Sequence, residues 1–147
     1  MQNPPPGTKG GIAWSLYHLG SVARHQGDYE KAAVLLEESL AVFRDLGQKS
    51  AVADLIDRLG GIAAAQGVPT QAARLLGAAD ALRQAISSRL TSSVRADYER
   101  DVAAVRAALG NEAFAAAWAD GRAMTLEQAI EHALRNESEV QEDTAGG

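Results

Sequence analysis

AWSLYHLGSVARHQGDYEKAAVLL (residues 13–36) and ADLIDRLGGIAAAQGVPTQAARLL (residues 53–76) decide the fold, because the second repeats the first forty positions on. Ala13, Leu19, Gly20, Ala23, Gln26, Gly27, Ala32, Ala33, Leu35 and Leu36 recur as Ala53, Leu59, Gly60, Ala63, Gln66, Gly67, Ala72, Ala73, Leu75 and Leu76. Leu16 and Val22 meet Ile56 and Ile62, residues of the same kind. Self-similarity at a fixed period marks a stacked supersecondary unit, too small to bury its apolar face alone.

Each unit divides into two helices. The first covers about 11–26, then 51–66, with Ile12, Leu16, Leu19 and Ala23, and Val52, Ile56, Leu59 and Ala63, expected on the inward face at spacings of three and four. Gly27 and Gly67 end these helices as C-terminal caps do. Asp28 is suited to cap the next helix, and Thr70 behind Pro69 is expected to do so in the second unit. The second helix lines up Ala32, Leu35, Leu36, Ser39, Phe43 and Leu46, and its counterpart Ala72, Leu75, Leu76, Ala79, Leu82 and Ile86. Gly20 and Gly60 stand mid-helix, where glycine costs up to about 1 kcal/mol relative to alanine. Their recurrence predicts close backbone approach within each hairpin.

Beyond residue 90 the repeat degrades. Val94, Tyr98, Val102, Val105 and Leu109 trace one face of a helix ended by Gly110. Asn111 is placed to cap a short helix burying Phe114 and Trp118, and Thr125-Leu126-Glu127-Gln128 has the spacing of a capping box before a last helix with Leu126, Ile130 and Leu134 inward. The expected fold is all-α: a right-handed superhelix of antiparallel hairpins, six or seven helices in all. Its units span about 11–50 and 51–90, with a degenerate capping unit over 91–136. The triple-proline start (1–10) and the acidic end (137–147) are expected to be disordered tails.

Composition agrees with helices packed through small side chains: 46% of residues are hydrophobic but only 5% aromatic. No cysteine is present, which excludes a disulfide framework or thiolate metal site and suits a reducing, cytoplasmic setting. No signal peptide or membrane-spanning run is evident. Glu137, Glu139, Glu142 and Asp143 carry most of the net charge of −5. Elsewhere Lys and Arg are scattered singly and form no stripe that could follow a phosphate backbone, so direct nucleic-acid binding is not expected.

Leu16-x-x-Leu19-Gly20-x-x-Ala23, Gly27-Asp28-Tyr29, Ala32 and Leu36, matched by Ile56, Leu59, Gly60, Ala63, Gly67, Ala72, Leu76 and Ala79, resemble the tetratricopeptide repeat. Val68-Pro69 departs from the family pattern, and the excess length lies in the connection 43–50. The stretch 73–83, with Tyr98-Glu99-Arg100 and residues 114–122, is similar to the C-terminal repeat region of large bacterial regulators of the signal-transduction ATPase class. In those proteins a nucleotide-binding domain precedes the repeats, and a LuxR-type or winged-helix DNA-binding domain, or a cyclase, stands at one end. That resemblance implies an excised piece of a longer regulator. It brings neither ATP nor DNA chemistry, since no G-x-x-x-x-G-K-[ST] and no helix-turn-helix pattern is present.

No constellation points to catalysis. His18 and His25 are two helical turns apart, about 10 Å, too far to share a metal ion. Glu37-Glu38 and Glu127/Glu131 belong to solvated faces, and no nucleophile elbow or phosphate loop accompanies them. No catalytic residue, metal or cofactor is expected. By the resemblance, the groove lined by the first helices presents Trp14, Tyr17, Ser21 and Arg24, then Asp54 and Asp57, followed by Gly61 and Ala64. Trp14 and Tyr17, lying off the 12/16/19/23 face, are expected at an exposed interface with a preceding repeat or another copy of the chain. The expected function is a protein-interaction and sensing scaffold whose partners are neighbouring domains, another protein or itself. A small-ligand receptor, with its pocket between the hairpins and terminal helices, is the rival.

Overall fold

Turn chemistry sets the helix ends. The Thr8 hydroxyl accepts from Gly11 N–H at 3.0 Å and starts a helix that runs through Gly10 and Gly11, two residues earlier than expected. Asp28 accepts from Lys31 N–H as the sequence predicts, whereas the helix after Gly67 begins at Pro69 behind Val68, and Thr70 caps nothing. At both first-helix ends the same closure recurs: Asp28 N–H donates to the Ala23 carbonyl and Val68 N–H to that of Ala63, each at 2.9 Å. Gly27 and Gly67 share φ +82°, a left-handed turn that glycine takes without steric cost.

The computed structural model describes residues 8–87 and 92–134. Its elements are α1 (Lys9–His25), α2 (Tyr29–Leu46), α3 (Lys49–Ala65), α4 (Pro69–Ile86), α5 (Ser92–Leu109) and α6 (Asn111–Arg122). A last helix, α7, covers 126–134. No strand occurs among the described residues. The proline-rich residues 1–7, the acidic end and the side chain of Val94 lie outside the described set.

Helices α1/α2 and α3/α4 form the two expected hairpins. A Cβ on Gly20 would come within 2.7 Å of Leu36 Cγ, and one on Gly60 within 3.2 Å of Leu75 and Leu76. Buried Ser39 donates to the Ala13 carbonyl at 2.8 Å, tying α2 to α1. Helix α3 is sandwiched between α2 and α4, so Val52, Leu55, Ile56, Leu59, Ile62 and Ala63 are all buried.

The first hairpin corrects the reading of α1. Its buried residues are Gly11, Ala13, Tyr17, Gly20 and Ala23, while Ile12 and Leu19 stand 48% and 56% exposed. Among the described helices only α2 packs extensively on α1, α3 and α5 reaching it through side chains, and the residue that meets α2 is the small Gly20. Following the largest apolar side chains therefore selects the uncovered flank. Leu46, expected inward, is also exposed, as the last residue of α2 before the Gly47 cap.

The third unit departs from hairpin geometry. Helix α6, not α5, makes the extensive contact with α4, while α5 packs lightly over α3, α4 and α6. Two glycines permit the α4–α6 crossing: a Cβ on Gly77 would strike the Trp118 carbonyl, and one on Gly121 the carbonyl of Arg74. Phe114 and Val105 are buried as expected, but Trp118 is only half-buried. Helix α6 is capped by Gly110, one residue ahead of Asn111. The capping box before α7 is present: Gln128 N–H donates to Thr125 Oγ1 at 3.1 Å and Thr125 N–H to Gln128 Oε1 at 3.0 Å. Ala129, Ile130 and Ala133 of α7 then join the main apolar cluster.

Because the obstruction at Gly121 is backbone, no rotamer change relieves it. Gly121→Ala is expected to cost about 1–3 kcal/mol, the usual range for overpacking, despite alanine's better helix propensity. Hydrogen exchange should accelerate across 111–134 and leave α1–α3 unchanged. A stabilised variant would mean that α4 and α6 are not in backbone contact.

Candidate functional site

Of the six residues expected in the groove, Tyr17, Arg24, Asp54 and Asp57 form polar contacts across the fold. Tyr17 donates from its hydroxyl to Asp54 Oδ2 and accepts from Arg58 Nε at 2.6 Å, with the Arg58 guanidinium 4.8 Å from the Tyr17 ring centre. Asp57 is paired with Arg83 at 2.8 Å, both side chains less than a tenth exposed. Arg24 reaches 77 positions along the chain to Asp101 on α5, donating to both carboxylate oxygens at 2.8 and 2.9 Å. Gly61 makes room for that pair, since a Cβ there would run into Asp101 Oδ2 and stand 2.8 Å from Arg24 Nη2.

Two expectations are corrected here. Tyr17 is 8% exposed and Asp57 3%, so both are internal partners of the fold and not free surface anchors. Trp14 is half-buried, edge-on to Phe43 at 5.3 Å and to Tyr17 at 5.4 Å. It closes the first hairpin instead of standing clear of it. Ser21, Arg24 and Asp54 remain partly accessible. Ser21 Oγ, Asp54 Oδ1, Asp57 Oδ1 and Arg83 Nη1 are buried with no hydrogen-bond partner among the described residues.

Sequence reasoning missed Arg58, Arg83, Tyr98 and Asp101, though the repeat carried a signal for one of them. At the forty-residue offset, Trp14, Tyr17 and Phe43 in the first unit become Asp54, Asp57 and Arg83 in the second. An aromatic cluster in one hairpin is exchanged for carboxylates and a guanidinium in the other. Residues that change together in this way mark spatial neighbours. Asp101 carried no such signal, because α5 has no counterpart in the repeat.

Helix α5 lies against this charged face. Asp101 anchors it to α1, and the Arg83 guanidinium sits 5.5 Å from the Tyr98 ring centre. Burial raises the Tyr98 phenol above its ordinary range, as it does that of Tyr17, with Asp80 and Asp54 respectively adding to the effect. Helix α5 also forms an open cleft with α6 of about 590 Å³, lined by Tyr98, Val102, Arg106, Phe114 and Trp118. No group of three or more potential metal ligands gathers among the described residues. None of the described helices is long and apolar enough to cross a membrane.

Comparison with known proteins agrees with this architecture. The sequence model of the tetratricopeptide repeat matches residues 11–87. An HTH-type transcriptional regulator of Mycobacterium bovis, so named, is 34% identical over 125 residues, which is 85% of this chain but 14% of the regulator. Two proteins of the same designation from strains of Mycobacterium tuberculosis match to the same extent. The chain thus spans about a seventh of the length of the curated relatives it matches. No solved structure gives a significant match.

The buried pair makes stability depend on pH. Burial, outweighing the attraction of Arg83, pushes the Asp57 carboxyl up to about 7 from an ordinary 3.8. Between those values the folded state holds a proton that the unfolded chain has released, so this group's contribution falls as pH rises from about 4 to 7 and stays lost above. Urea midpoints at pH 5 and pH 8 should therefore differ less in Asp57→Asn than in the parent chain. An Asn variant with the parent's full pH dependence would contradict this assignment.

Proposed function

The chain belongs to the tetratricopeptide repeat family, and from that premise we propose that it is a non-catalytic protein-interaction module of a bacterial transcriptional regulator. It works in the cytoplasm, holding neighbouring domains or a partner protein in register with the part of the regulator that meets DNA. The observation that carries this reading is the surface on α1 and α3 where Trp14, Ser21, Arg24 and Asp54 stand partly accessible. Aromatic and arginine side chains dominate binding energy at protein interfaces, and carboxylates beside them add orientation. The likeness to HTH-type regulators over most of the chain supports the regulatory setting.

Helix α5 gives that surface a way to respond. Val105 is its one fully buried side chain among those described, and Asp101 supplies its charged attachment. A partner that competes for Arg24 would loosen α5, and with it the cleft shared with α6. Binding on one side of the module is thereby coupled to the arrangement of its last helices.

The isolated chain should show no saturable binding of ATP by calorimetry, nor of duplex DNA by fluorescence anisotropy, up to about 0.1 mM at physiological salt. In a longer regulator that contains this chain, deletion of residues 8–134 should leave operator affinity within about threefold and abolish the regulated change in transcription. Specific DNA binding by the chain alone, or a deletion that retains regulation, would contradict the reading.

A further inference from the structure

Gly20 and Gly60 fix a common angular origin, because each faces the second helix of its own hairpin. At 100° per residue, Val52, Leu55, Leu59 and Ile62 then lie together on the other flank of α3. All four are at most 2% exposed, enclosed where α2 packs on α3. Forty positions earlier, the same flank of α1 carries Ile12, Ser15, Leu19 and Val22. There Ile12, Leu19 and Val22 are 48%, 56% and 53% exposed. They are three of the five large apolar side chains exposed among the described residues, and they fall on one stripe.

We propose that this flank of α1 is a docking surface for the second helix of another hairpin of the same repeat, ahead of α1 in a longer polypeptide and packed as α2 packs on α3. Three observations select that occupant. The stripe continues an interface already present in the molecule, in the same register and with the same apolar chemistry at three of its four positions. The contact it continues is head-to-tail, one helix flank against a different one. A second copy of α1 meeting this flank about a two-fold axis would have to match the stripe to itself. The relatives matched over 85% of this chain are about six times its length, which leaves room for such a hairpin. Only Ser15 departs from the template, standing where the second unit has Leu55. The inference holds whichever protein the charged face contacts.

The test inserts a second copy of residues 9–48 between Thr8 and Lys9 of the full chain, so that the new junction joins Gln48 to Lys9, as Gln48 already meets Lys49. Exchange of the amides of the original α1 should slow at least about tenfold. Leu19→Asp with Val22→Asp in the original copy should leave the parent chain folded and remove the added protection in the extended one. Unchanged exchange in α1 beside a separately melting insert overturns the proposal, as does unfolding of the doubly substituted parent. So does a dimer of the parent at about 0.1 mM that these substitutions dissolve, since the flank would then belong to a second copy. If the extended chain does not fold, a synthetic peptide of residues 28–48 is titrated into the parent. Shifts at the Ile12, Leu19 and Val22 methyls with Leu59 unmoved support the proposal, and no shift up to about 1 mM overturns it.

Discussion

Everything in the two hairpins depends on how closely their helices approach at Gly20 and Gly60. With no side chain at these points, Leu36 rests on the backbone of α1, and Leu75 and Leu76 on that of α3. The approach fixes the rotation of each first helix. In α1 it turns Ala13, Tyr17 and Ala23 inward and leaves Ile12, Leu19 and Val22 outward. In α3 it leaves a second flank free for α2. The same device recurs where Gly77 and Gly121 let α6 lie on α4. A chain with few aromatics reaches native packing density by bringing backbones together, and small residues at the crossings are what that requires.

The second hairpin holds in place of an aromatic cluster an ion pair that few cores would select. Taking Asp57 and Arg83 out of water is costly, and apolar residues of similar volume would serve stability as well or better. Arg83 carries the Tyr98 ring, Arg24 carries Asp101, and α5, otherwise lightly packed, is seated on the charged face by these contacts. In the first hairpin Trp14 closes over Phe43 and Tyr17, whose hydroxyl is bonded to Asp54 and Arg58 of α3. One backbone thus carries an apolar lining in one unit and a polar one in the next, and α5 is held by Arg24 of the first hairpin and Arg83 of the second.

Much of this was legible from residues alone. The forty-residue period placed both hairpins, Gly27 and Gly67 marked the turns, and Asp28 and Thr125/Gln128 cap as their spacing predicts. What failed was orientation. Size misled at α1, because Ile12 and Leu19 look like core, and in α3 their counterparts are core; only the absence of a covering helix separates the two cases. Trp118 misled in the same way, lying half-buried over an open cleft. Helix α6 packs on α4 through glycine crossings that leave no periodic trace. Among the residues expected in the groove, Tyr17 and Asp57 are committed to internal partners. Exposure depends on what faces a residue, and a spacing argument supplies only direction.

The central claim, that the Gly20 crossing sets the hairpin, makes a prediction opposite in sign to helix propensity. Alanine in place of a mid-helix glycine should stabilise an unobstructed helix by about 1 kcal/mol. At Gly20 the new methyl meets Leu36, which is wholly buried and would have to shift. Overpacking of this kind costs about 1–3 kcal/mol and outweighs the propensity gain. Urea unfolding of Gly20→Ala should therefore give a lower midpoint than the parent chain at an unchanged slope. A midpoint raised by the full propensity gain would show that α1 and α2 are not in contact there, and the orientation of the first hairpin would fall with it.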